Sequence, residues 1–170
     1  MESTGLTFRI LLGVVFAVSL AGKLRGTGDF VEATRRLVPV RFARWDRPLS
    51  AAVAAVELAV IALLVFQPTA SFVLAFGLLA AFTVALAAAL RRGETAPCHC
   101  FGPGGTPLGR RHLGRNAVLL SIAALGLAFP ATSPPIAELL PAATIAIAAA
   151  LLVIRFDDLV ELYQPLGANR

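Results

Sequence analysis

Charged side chains are scarce in this chain: they make up 15% of its 170 residues, while 58% are hydrophobic. A soluble domain of this length carries about 25% charge, so the shortfall excludes an ordinary water-exposed globule and points to a membrane protein. Cysteine is scarcer still. Two residues are too few to staple a small secreted domain, and the hydrophobic spans already account for stability. Internal repeats, low-complexity tracts and any segment composed like a soluble domain are also missing. The one glycine-rich loop, Gly102-Pro103-Gly104-Gly105, has no Lys-Ser/Thr after it and no strand pattern before it, so it is a flexible turn and not a phosphate cradle.

What is present is five apolar stretches: Leu6 to Gly22, Leu49 to Phe66, Ala70 to Leu90, Leu113 to Phe129 and Ile136 to Ile154. A helix crosses the ~30 Å hydrocarbon core in about 20 residues, with a working range of about 17 to 25. The expectation is therefore an all-α, polytopic bundle of five transmembrane helices, forming a single domain over residues 1–170. The fourth stretch is the shortest. Its uninterrupted run, Ala117 to Phe129, spans only if Leu113, Gly114, Arg115 and Asn116 join the helix. Otherwise the chain has four spans and a re-entrant or interfacial segment.

Gln67-Pro68-Thr69 and Pro130 to Pro135 are short, uncharged breaks suited to turns between antiparallel helices. The longer Lys23 to Pro48 connection holds an amphipathic stretch, Asp29 to Val38. Phe30, Val31, Leu37 and Val38 share one face of it, which suits the membrane interface.

The net charge of +5 does not point to nucleic acid, because the basic residues lie between apolar spans. With five spans, fourteen of the fifteen Lys and Arg fall on one side and Arg9 alone on the other. The positive-inside rule then puts the amino terminus outside and the carboxyl terminus in the cytoplasm. Ser19-Leu20-Ala21 resembles a signal-peptidase site, but Arg9 is the only basic residue before the apolar run and Glu2 opposes it. The expectation is an uncleaved first helix.

Chemistry concentrates in one place. Both cysteines and both histidines lie within fifteen residues, as Cys98-His99-Cys100-Phe101-Gly102 and His112. A Cys-x-Cys disulfide closes a small, strained and easily reduced ring, which suits exchange better than bracing. Arg91, Arg92, Arg110, Arg111 and Arg115 surround the pair in sequence, and positive charge favours the reactive thiolate. The same atoms, Cys98, His99, Cys100 and His112, match the ligand count of a tetrahedral zinc or soft copper site, although one residue between cysteines is tighter than zinc sites use. Two ordinary cysteines at a helix–loop boundary, with an incidental interfacial His112, form the plain alternative. Glu57 is the other informative residue. It falls mid-span, where a carboxyl is costly and needs a partner; Lys23 and Arg115 are the candidates. Its role is either helix packing or proton relay.

Gly22-Lys23-Leu24, Phe30, Leu37-Val38-Pro39, Glu57-Leu58, Cys98-x-Cys100-Phe101-Gly102 and Arg115-Asn116 together resemble the methylamine-utilisation MauE family, itself related to DoxX-like membrane proteins. The resemblance runs from about Leu6 to Phe129 and takes in the last helix. It implies a redox-associated membrane protein, similar to one involved in maturing methylamine dehydrogenase beside a thioredoxin-like partner. By that resemblance Cys98 and Cys100 are the redox pair, supported by a polar cluster of Lys23, Glu57, Arg115 and Asn116. Nothing in the residues selects a cofactor. The competing expectation is a non-enzymatic subunit that binds a metal or small apolar ligand and steadies a partner complex.

Overall fold

The computed structural model describes residues 2–38, 45–93, 109–129 and 136–156. They form six helices: α1 (Glu2–Arg25), α2 (Thr27–Leu37), α3 (Asp46–Phe66), α4 (Pro68–Arg91), α5 (Arg110–Ala128) and α6 (Ile136–Ile154). Alanine, leucine and valine fill the helix interiors, while Pro68 at the start of α4 and Gly93 with φ +78° just past its end mark two of the boundaries.

α1, α3, α4 and α5 close into a ring in which each packs on two neighbours: α1 on α3 and α5, and α4 on α3 and α5. Side-chain hydrogen bonds fix the antiparallel sense. Arg9 near the start of α1 donates to the Val65 carbonyl near the end of α3 (2.8 Å), and Ser71 early in α4 donates to the Val60 carbonyl of α3 (2.8 Å). Inside the ring, Leu12, Val60, Phe72, Leu86 and Leu119 are fully buried. Phe72 lies over Gly126 of α5, where a β-carbon would overlap its ring.

α6 stands outside the ring against α1. Its buried face is the stripe Ala142, Ala146 and Ala150, one small residue per turn, which lets two backbones approach closely. Leu6 and Ile10 of α1 meet Ala142, so the two helices start at the same end. The outward faces carry Leu58, Phe66, Val84, Leu140 and Leu152, all well exposed, as expected of a surface meeting lipid.

α2 is the amphipathic stretch expected from the sequence. It packs across α3 and α4 with Phe30 and Thr34 buried, one turn apart, and Arg35 and Arg36 exposed. Arg92, just after α4, donates to the carbonyls of Leu37 (2.8 Å) and Arg36 (3.3 Å), satisfying acceptors that the end of α2 leaves open.

The protein is thus an all-α helical bundle of membrane type, and all five expected apolar stretches are helical. Three of the six helices, α1 from Thr4 onward, α3 and α4, are long and apolar enough to cross a membrane. α6 offers the shorter apolar stretch Glu138–Ile154. α5 does include Leu113 to Asn116, but its first two turns also hold Arg110, Arg111, His112 and Arg115, which lower its hydropathy. That polar opening is why composition alone does not qualify it.

Candidate functional site

Helix order brings one set of ends together: the close of α1, the start of α3, the close of α4 and the start of α5. These ends carry Lys23 and Arg25, Arg47, Arg91 and Arg92, and Arg110, Arg111 and Arg115. Just below them, between the four ring helices, lies a partly open cavity of about 50 Å³. Apolar side chains such as Phe16, Leu79 and Phe82 form most of its wall. Its polar lining is Ser19, Lys23, Glu57, Arg115 and Asn116.

Lys23 occupies the last turn of α1, and its side chain is 96% buried. Helical side chains lean toward the amino terminus of their own helix, so from this position the lysine runs down into the bundle. Its Nζ donates to Glu57 Oε1 at 2.6 Å and to Ser19 Oγ, one turn back on α1, at 2.6 Å. It also sits 5.1 Å from the Phe30 ring centroid, a cation–π contact supplied by α2. Ser19 Oγ in turn donates to Glu57 Oε1 at 3.1 Å. The ion pair is buried on both sides, at 4% and 6% side-chain exposure. Of the two partners expected for Glu57, the structure pairs it with Lys23, while Arg115 lines the same cavity.

A buried ion pair pays a desolvation cost that its attraction only offsets when the remaining hydrogen bonds are made. Here they are nearly complete. Lys23 has Ser19, Glu57 and an aromatic face for its three N–H groups, whereas Glu57 Oε2 is buried with no hydrogen-bond partner among the described residues. Asn116 is held by α4: its Nδ2 donates to Thr83 Oγ1 (3.3 Å), and Thr83 donates to the Leu79 carbonyl (2.7 Å).

His112 is buried, 2% exposed, at the start of α5. Its backbone N–H donates to the Gly109 carbonyl (3.1 Å), and its Nδ1 accepts from the Gly109 N–H (3.3 Å). Histidine thus does what glutamate does in a capping box, satisfying a backbone donor at the helix start. With Nδ1 so used, that nitrogen is not open to a metal. The other three candidate ligands, Cys98, His99 and Cys100, lie outside the described residues, as does the redox pair itself. Among the described residues no group of three or more His, Cys, Asp or Glu side chains is placed to hold a metal.

Sequence reading thus found Lys23, Glu57, Arg115 and Asn116, and the structure gathers all four around one cavity. It missed Ser19, Phe30 as the aromatic face, and Thr83. Ser19 was detectable: a serine four residues before a buried lysine shares its helical face.

The family description "Methylamine utilisation protein MauE" matches residues 1–129. The chain belongs to the MauE family. The match ends at Phe129, just past α5, so it covers α2 and the entire four-helix ring but, against the expectation from sequence, not α6. The Lys23–Glu57 pair and the cavity therefore lie wholly within the MauE region. Neither the curated proteins nor the solved structures give a match to this chain.

Proposed function

We propose that this MauE-family membrane protein supports thiol–disulfide exchange through Cys98 and Cys100 during redox maturation of a partner protein. One observation carries the reading. The cysteine pair falls in the segment joining α4 to α5, whose facing ends bear Arg91, Arg92, Arg110 and Arg111 and border the Lys23–Glu57 cavity. Positive charge near a thiol favours its thiolate, the attacking species.

In the exchange, one thiolate attacks a sulfur of the partner's disulfide. A mixed disulfide forms and one partner thiolate leaves. The second cysteine then attacks the mixed disulfide, releasing the other partner thiolate and closing a Cys98–Cys100 disulfide. The partner gains two electrons and the pair loses two. A thioredoxin-like dithiol is the matching reductant to restore the pair.

The reading takes the whole chain, residues 1–170, as one domain with five spans. α5 and α6 join α1, α3 and α4 in the bilayer, with the amino terminus outside and the arginine-rich end in the cytoplasm. It is supported by the charge bias, with Arg9 the lone basic residue of the opposite end. α5 can span because its polar opening turns sit at that end and face the ring, where Arg115 and Asn116 are buried.

Replacing Cys98 or Cys100 singly with serine tests the proposal. One variant should accumulate a mixed disulfide with its partner, visible on a non-reducing gel and lost on reduction. Unchanged partner oxidation state in both variants, with no trapped species, would sink it.

A further inference from the structure

The Lys23–Glu57 pair leaves one atom unexplained. Glu57 Oε2 is buried with no donor among the described residues, at a cavity also lined by Arg115 and Asn116. A buried carboxylate oxygen left without a hydrogen bond is costly, and such groups regularly find ordered water instead. Size decides what can serve. A water needs about 10 to 15 Å³ of such space, whereas a dry engineered cavity that admits benzene measures about 150 Å³. At about 50 Å³ the space takes a few waters and is smaller than that benzene-binding cavity. Polarity agrees, since a water needs two to four polar partners. Glu57 can accept from it, and the Arg115 and Asn116 side chains border the same space.

We propose that this cavity is an internal hydration site, in which ordered water donates to Glu57 Oε2 and links the mid-bundle carboxylate to the polar groups at the opening of α5. The site needs nothing from the cysteines. Where thiol–disulfide exchange does run, the water gives Glu57 a contact through which protons can pass toward the arginine-rich end, while Oε1 stays held by Lys23 and Ser19.

Radiolytic hydroxyl labelling in ¹⁸O-water, on the full chain in lipid nanodiscs, tests this, because radicals formed at bound water mark the side chains beside it. Phe16 and Phe82 line the cavity; Phe72 sits in the dry core and Phe76 faces outward. Phe16 and Phe82 should label severalfold faster than Phe72 and Phe76. In a Lys23→Met, Glu57→Met double variant that advantage should vanish while Phe72 and Phe76 keep their rates. Equal labelling of all four phenylalanines in the wild type would overturn the proposal, as would a bound organic molecule recovered in stoichiometric amount. The wild-type comparison decides even if the double variant does not fold. Labelling in a Cys98→Ser, Cys100→Ser variant should match the wild type, which separates this test from the fate of the exchange reaction.

Discussion

The ring of α1, α3, α4 and α5 and the outer helix α6 are held by different physics. The ring buries a salt bridge, three serine hydroxyls, a histidine, an asparagine and an arginine among large apolar side chains. α6 attaches through three alanines spaced about one turn apart, of which Ala146 and Ala150 pack into the ring's apolar core and Ala142 against Leu6. In lipid an apolar face gains little by leaving its surroundings, so close packing of small residues suffices for a seam. The polar ring costs more to build, and it lies inside the MauE match. α6 lies beyond the match.

This contrast predicts a graded series of effects. The largest should follow Glu57→Leu, which strands the Lys23 ammonium in the bundle. Breaking one side of a buried pair costs about 3 to 5 kcal/mol. Replacing both partners, as in Lys23→Met with Glu57→Leu, should recover most of that loss. Thermal unfolding of detergent-purified protein measures both, and additive losses in the pair would show that the two residues are not coupled.

Next comes Gly126→Ala. Its new methyl meets the Phe72 ring, which is 1% exposed and has nowhere to turn, so overpacking should cost about 1 to 3 kcal/mol. Ala146→Leu forces a comparable bulk into the α1–α6 seam, but the damage should stay there. Proteolysis of α6 should rise while the Lys23–Glu57 ring keeps its unfolding midpoint within a few degrees. If Ala146→Leu instead unfolds the ring as readily as Gly126→Ala, the two regions are one cooperative unit and the comparison breaks.

The smallest effect belongs to Arg92→Ala. The bonds it removes are exposed, so global stability should shift by about 0.5 kcal/mol or less. Hydrogen exchange at the end of α2 should nevertheless quicken, because the carbonyls of Arg36 and Leu37 lose their donor.

Much of this was legible in the sequence because lipid makes polarity expensive. A glutamate at the centre of an apolar span demands a partner, and the span boundaries left Lys23 and Arg115 as the available cations. Periodicity put Phe30 on the apolar face of α2, expected at the membrane interface; in the structure that residue is buried against the bundle. Three things were not legible. The choice of Lys23 over Arg115 depends on the amino-terminal lean of the lysine side chain and on how α1 packs against α3. The burial of His112 depends on a backbone cap formed with Gly109, which no apolar pattern signals. The fit of Phe72 over Gly126 joins residues on separate helices with no periodic link. Hydropathy also could not show that Arg115 and Asn116 are buried in the ring.

The account places its chemistry at one end of the ring, and sidedness tests that most directly. A membrane-impermeant maleimide, applied to intact and then lysed cells, would report the native cysteines. It would also report an Arg35→Cys reporter on α2 and a Gln67→Cys reporter at the opposite end, each in a Cys98→Ser, Cys100→Ser background. Cys98 and Cys100 should react with Arg35→Cys only after lysis, while Gln67→Cys reacts in intact cells. Reaction of the native cysteines from the same side as Gln67→Cys would contradict the account.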